Sequence, residues 1–168
     1  SQDMDNLMRL AQRMTAHEAA HFLIVGSGSE VERLKQLVAE EQRTNVTILP
    51  AVDQATYLSM LQEFDVGLIS LDKRLKSCNY PGKLLGYLRC GMPVLASINP
   101  GNDLVALLER YETGLASVNG DDESLYLNAC RLCDSPLRTQ LGRNAEALLH
   151  EVFSVSRIAE QILRAVPG

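Results

Sequence analysis

Apolar residues recur along this chain in two alternating rhythms. In residues 3–15, Met4, Leu7, Met8, Ala11 and Met14 fall at helical spacing. Phe22, Leu23, Ile24 and Val25 then form a short continuous apolar run, the length of a buried strand. Ser29, followed by Glu32, fits a capping box that opens a helix with Val31, Leu34, Leu37 and Val38 on its inner face. Residues 45–49 predict a second strand, and Asp53 can cap a helix running to about Glu63. Residues 66–70 predict a third strand, followed by a polar loop over 71–81. A short helix over 82–90 is ended by Gly91 in a left-handed conformation. Residues 93–97 form the fourth strand. A turn over 99–103 precedes a helix bearing Leu104, Leu107 and Leu108, and 114–118 is the fifth strand. Asp121 or Asp122 caps the next helix. Ser135 as N-cap, with Pro136 behind it, opens another whose stripe is Leu137, Leu141, Ala145, Leu148 and Val152. Residues 156–166 predict a last amphipathic helix.

Strands alternating with helices mean parallel strands joined by crossover helices. The expected fold class is α/β, a Rossmann-like open parallel sheet with helices on both faces. Ligands of such sheets bind beyond the carboxyl ends of the strands. The loops that matter are therefore 26–29, 49–53, 71–83 and 97–103. The chain opens on a helix where such a fold ordinarily opens on a strand, and the expectation is a fragment of a longer protein.

Composition narrows the function. The 168 residues suffice for one domain, with 46% hydrophobic and 22% charged residues. A net charge of −5 with scattered Lys and Arg argues against a nucleic-acid surface, which needs clustered cations. No apolar run approaches the roughly 20 residues of a membrane span. Cys78, Cys90, Cys130 and Cys133 read as reduced cytosolic thiols. Cys130 and Cys133 form a lone CxxC; without a second pair it is not a structural zinc site, and it reads as two positions in mid-helix.

Two neighbouring motifs compete near the start. His17, Glu18 and His21 spell H-E-x-x-H, but the zinc motif requires both histidines on one helical face. Here the second abuts an apolar strand, and no metal site is expected. Gly26, Ser27 and Gly28 are better placed, at a strand-to-helix turn where backbone N–H groups can meet a phosphate. The dinucleotide fingerprint would need glycine at position 31, which is Val31, and the next strand ends without an acidic ribose ligand. Pro81, Gly82 and Lys83 open a helix on the same edge, and helix-start N–H groups plus one ammonium suit a diphosphate.

The ordered segments FLIVGSGSEVERLKQLV, NVTILPAV, YLSMLQEFDVGLISL, YPGKLLGYLRCGMPVLAS, GLASVNGDDESL and VFSVSRIAEQIL resemble the C-terminal domain of retaining GT-B glycosyltransferases of family 4, the group 1 glycosyl transferases. The likeness is to bacterial envelope-polysaccharide members. It implies that residues 1–168 are a single nucleotide-sugar-binding domain, one half of a GT-B enzyme whose N-terminal acceptor domain and first strand lie outside this chain. Gly26, Ser27 and Gly28 would lie near the donor, and the backbone of Leu49, Pro50 and Ala51 would read the base. Cys78, Asn79, Pro81, Gly82, Lys83 and Leu84 would face phosphate and sugar, with Lys83 stabilising the departing diphosphate. Asn79 and Asn99 to Asn102 are weaker candidates. The resemblance implies a UDP-sugar in preference to a GDP-sugar, no cofactor or metal, and a lipid-linked or saccharide acceptor. The implied location is cytoplasmic, peripheral to the inner membrane in the full-length enzyme. The sequence departs from the family where two glutamates usually stand, because Cys78 and Gly86 occupy those positions.

Two alternatives stand beside this reading. A sugar-nucleotide epimerase half would need catalytic carboxylates, for which Asp53 and Asp72 are the available candidates, and a histidine near them. A non-catalytic Rossmann-like interaction module would account for the missing glutamates.

Overall fold

The structure, a computed structural model, describes residues 2–18, 20–76 and 80–153. The helix expected over 156–166 lies outside them. The elements run α1 (Met4–Arg13), a 3-10 turn (Met14–Ala16), β1 (Phe22–Val25), α2 (Val31–Glu40), β2 (Val46–Leu49) and α3 (Gln54–Leu61). They continue with β3 (Gly67–Ser70), α4 (Lys83–Arg89), β4 (Val94–Ile98), α5 (Leu104–Arg110), β5 (Gly114–Val118), α6 (Asp122–Arg131) and α7 (Ser135–Val152). The alternation expected from the sequence is present, and every strand pair is parallel.

The strands form two sheets where one was expected. β1 pairs with β2, Phe22 opposite Val46, and β3, β4 and β5 pair in that order, Gly67 opposite Val94 and Val94 opposite Gly114. β1 and β3 face one another across a cavity of about 860 Å³, lined from one side by Phe22 to Val25 and from the other by Val66 to Leu68. Phe22 and Gly26 turn their N–H groups to β2, and Gly67 and Leu71 turn theirs to β4. Backbone alternation therefore aims the N–H groups of Leu23 and Val25, and of Leu68 and Ser70, into the gap. The Tyr87 hydroxyl donates to the Leu68 carbonyl there at 3.2 Å.

Burial divides the core in two. β4 is buried along its whole length. Val94, Ala96 and Ile98 pack with Leu61, Leu84, Leu88, Leu104, Leu108 and Leu148. Leu95 points the other way, into a cluster with Met8, Met14, Leu34, Leu125 and Leu141. Period-two alternation thus sends one strand's side chains into both helical layers. α7 serves both layers, Leu141 in one and Ala145 and Leu148 in the other.

Several local expectations hold and three are corrected. Asp53 caps α3 by accepting from the Thr56 N–H, Asp121 caps α6 by accepting from the Ser124 N–H, and Gly91 has φ +59°. The capping box at Ser29 does not form. Ser29 and Glu30 lie in a turn closed by the Val31 N–H on the Gly28 carbonyl, and α2 starts at Val31 with no side-chain cap. An N-cap needs extended backbone, which that turn denies to Ser29. The cap of α7 is Asp134, not Ser135, because Asp134 is the extended residue and its carboxylate accepts from the Leu137 N–H. Cys130 and Cys133 straddle the carboxyl end of α6 instead of lying within it, since α6 ends at Arg131.

Candidate functional site

The chain order around the gap locates the site. From α1 the chain builds outward through β1 and β2, then crosses back to β3 and builds the other way through β4 and β5. The direction of winding reverses at the gap, and ligands of open α/β sheets bind beyond the carboxyl ends of the strands at such a reversal. The loop after β1 is residues 26–29, and the loop after β3 leads to Lys83.

Gly26, Ser27, Gly28 and Lys83 border the same cavity, so the structure brings these sequence candidates together. Gly28 has φ +153°, a conformation that L side chains rarely adopt. A Cβ on Gly26 or Gly28 would meet nothing within 4 Å, so both backbones stand open for a ligand to approach. The first turn of α2 carries no side-chain cap, which leaves its N–H groups and the positive end of its dipole on this edge.

Lys83 is half-buried at the first position of α4. Its Nζ donates to the Gln2 side-chain oxygen at 3.3 Å. Loss of solvent lowers its pKa from the ordinary lysine value, and no carboxylate among the described residues offsets that effect. A cation held out of water on these terms gains from an anionic ligand.

The remaining candidates are placed differently. Leu49 ends β2 and its carbonyl accepts from the Gly26 N–H at 3.2 Å, which ties the loop after β2 to the glycine turn. Pro50 and Ala51 are exposed beyond it. Pro81 is half-buried and Gly82, the residue before α4, is exposed without a side-chain cap. Leu84 has its side chain wholly buried in the core and its N–H on the Pro81 carbonyl, so only its backbone lies at this edge. Cys78 and Asn79 lie outside the described residues. Asn99 and Asn102 are buried ties of the fold. Asn99 donates to the Leu75 carbonyl at 3.1 Å, and Asn102 donates to the Asn99 side chain at 3.0 Å while accepting from the Leu104 N–H.

The carboxylates available to an epimerase are committed elsewhere. Asp72 is gripped by the Arg74 guanidinium and backbone N–H, which hold its carboxyl far below the usual range. Asp53 is held low by the Thr56 hydroxyl and N–H. His17 meets Tyr126 and His21 meets Thr47, at 3.2 and 2.8 Å, so the two histidines have separate partners and neither is hydrogen-bonded to these carboxylates. Among the described residues no group of three His, Cys, Asp or Glu could hold a metal.

Sequence reasoning missed the polar cluster that seats α1 on the carboxyl ends of the strands. Asn6 donates to the Ser70 hydroxyl at 3.1 Å, Ser70 donates to the Asp3 carbonyl at 2.8 Å, and Asn119 donates to the Asp3 carboxylate at 3.2 Å. One signal was available: Asn6 is a polar residue on the apolar face of a helix, and a buried amide demands partners.

Among curated proteins none matches the sequence. Solved structures do match in fold. A mutant of S. aureus TarM, solved with Fondaparinux, alpha-GlcNAc-glycerol and UDP, superposes with a TM-score of 0.78 at 17% identity, over 97% of this chain and 32% of that one. WaaG, a glycosyltransferase involved in lipopolysaccharide biosynthesis, gives 0.68 at 20% identity over 98% and 44%. The sucrose-phosphate synthase of Thermosynechococcus elongatus gives 0.72 at 22% identity over 95% and 41%. All three are GT-B enzymes, and the chain spans less than half the length of each. The family model of the glycosyl transferases group 1 matches residues 2–135, most of the chain, and the chain belongs to that family.

Proposed function

We propose that this chain is the nucleotide-sugar donor-binding domain of a retaining, metal-independent glycosyltransferase that builds bacterial envelope polysaccharide. The observation that carries the reading is the pairing of an open glycine turn at an uncapped helix with a half-buried lysine whose partner is an uncharged amide, both bordering one cavity at the winding reversal. A diphosphate meets backbone N–H groups on one side and an ammonium on the other. As the bond from the anomeric carbon to the phosphate oxygen breaks, negative charge builds on the diphosphate, and Lys83 stabilises it. TarM, with UDP in its structure, supports a uridine nucleotide, and WaaG supports the lipopolysaccharide setting.

The same proposal accounts for the divided sheet. A further strand of the enzyme, parallel to its neighbours, fits between β1 and β3 with α1 as its crossover to β1. α1 starts beside the carboxyl end of β3 and leads to the amino end of β1, as such a crossover must. The acceptor domain belongs to the rest of the enzyme, and the 168-residue chain alone is expected to transfer no sugar from any nucleotide donor.

An amide-shift titration with UDP, then GDP, tests the donor site. Shifts are expected at 26–29, 49–53 and 78–84, stronger with UDP, weakened by Lys83→Ala, with a dissociation constant on the order of millimolar, about 4 kcal/mol. A second reading, the interaction module, is favoured by Gly86: a Cβ there would meet only Leu61 at an ordinary 3.5 Å, so a side chain fits where the chain carries none. Shifts confined to α6 and α7, or none in a folded protein, would establish that reading instead.

A further inference from the structure

The two motifs that the donor site leaves unused meet in space. His17, the first histidine of H-E-x-x-H, brings its Nε2 within 3.6 Å of the Sγ of Cys130, the first cysteine of CxxC. The Met14 Sδ, buried in the 3-10 turn after α1, is 3.9 Å from the same Cys130 sulfur. A thiol, an imidazole and a thioether thus converge from α1's carboxyl end and α6's last turn, 113 and 116 residues apart in sequence for the two contacts.

We propose that Met14, His17 and Cys130 form a binding site for a soft monovalent metal ion, copper(I). The two spacings measured from the Cys130 sulfur each fit an ion shared with that neighbour. Metal–sulfur bonds of about 2.3 Å and a metal–nitrogen bond of about 2.0 Å, opened to about 110–120°, place sulfur and nitrogen roughly 3.5–3.8 Å apart and two sulfurs roughly 3.8–4.0 Å apart. The ligand chemistry selects the metal. Zinc favours thiolate, imidazole and carboxylate, and the described residues offer it no group of three such side chains, whereas a thioether beside a thiolate suits copper(I).

Binding exchanges one proton for one ion: the Cys130 thiol releases its proton to solvent, and the thiolate and copper(I) make a neutral pair. His17 and Cys130 are both half-buried, so an ion can reach them from solvent. The Tyr126 hydroxyl, 3.2 Å from the His17 Nε2, occupies the imidazole in the metal-free protein and must yield on binding. The Arg13 guanidinium over the Tyr126 ring, 4.2 Å away, is paired with Glu123 at 2.5 Å, so its positive charge is offset near the site. Met14 borders the cavity beside Lys83 while His17 and Cys130 do not, and the site uses neither Lys83 nor the glycine turn and does not rest on the donor reading.

The test uses the whole chain, reduced and anaerobic, with Cys78 and Cys90 changed to Ser so that only Cys130 and Cys133 remain as thiols. Copper(I) is supplied as its bicinchoninate complex. One ion per chain should be retained, with an X-ray absorption signature of two sulfurs and one nitrogen. Cys130→Ser and Met14→Leu should each lose copper, Cys133→Ser should keep it, and Tyr126→Phe should bind at least as tightly. Retention of no copper, or an absorption signature without nitrogen, overturns the site. So does loss in Cys133→Ser equal to that in Cys130→Ser, which would mark a simple dithiol. The absorption measurement needs no variant, so it decides the matter even if a substitution at buried Met14 disturbs folding.

Discussion

At the scale of single residues, Lys83 and Gly142 show two ways a position can be constrained. Lys83 sits half out of water with an uncharged amide as its hydrogen-bond partner, an arrangement that gives the fold little and an anion much. In the full-length enzyme, Lys83→Ala should lower the transfer rate more than donor affinity, because the charge acts most strongly on the departing diphosphate; steady-state rates alongside direct donor titration separate the two. Gly142 is constrained by packing alone. A Cβ there would lie 2.3 Å from the Gly91 carbonyl oxygen, where α7 crosses the turn between α4 and β4. Glycine to alanine in a helix interior ordinarily stabilises by up to about 1 kcal/mol. Here the clash with backbone wins, and Gly142→Ala should cost about 1–3 kcal/mol, read as a lower urea midpoint at unchanged slope.

At the scale of elements, the ends of the helices carry the pH response. The Asp53 and Asp121 carboxyls both lie below the usual value, held first by the hydroxyls of Thr56 and Ser124 and then by the N–H groups they cap. A carboxyl whose folded pKa is depressed contributes stability that is fully present above its unfolded value of about 4, and that is lost as pH falls through the folded value. Urea midpoints measured from pH 6 downward should therefore fall in this acid range. A chain with both Asp53→Asn and Asp121→Asn, which caps without titrating, should fall less steeply. Asp53 was legible in the sequence because an aspartate before an apolar-periodic run has one local use, whereas the choice between Asp121 and Asp122 needed the backbone. That Ser29 does not cap α2 was not legible, because the Gly28 conformation that decides it is invisible to spacing. Asp134 was overlooked for the neighbouring Ser135 because both residue types cap, and only backbone dihedrals choose between them.

At the scale of the whole molecule, periodicity revealed which residues are buried but not which strands are adjacent. The runs over 22–25 and 66–70 marked β1 and β3 to within a residue, yet nothing in either run shows that the two stand apart across a gap. The donor candidates at Gly26, Gly28 and Lys83 were legible because glycines and a lysine at helix starts have a phosphate chemistry of their own. Gln2 and the Asn6–Ser70–Asp3 cluster were not, since their partners are distant in sequence. If a further strand completes the sheet, the N–H groups of Leu23, Val25, Leu68 and Ser70 should exchange with solvent quickly in the 168-residue chain. They should be protected in a longer protein that supplies the strand. Equal protection of all four in both proteins would leave no place for it.

The gap has a consequence for the protein in a crowded solution. Two rows of backbone groups face each other inside one molecule, and both accept a partner running in the same direction. Ordinary edge strands are defended by lysines, prolines or bulges that turn neighbours away. The rows here are Phe22, Leu23, Ile24 and Val25 on one side and Gly67, Leu68, Ile69 and Ser70 on the other, with no charge and no proline among them. Such a slot welcomes any extended apolar segment long enough to fill it, including one from a neighbouring copy caught half-unfolded. A short peptide that occupies the slot should therefore keep the purified chain dispersed at concentrations where the empty chain clumps.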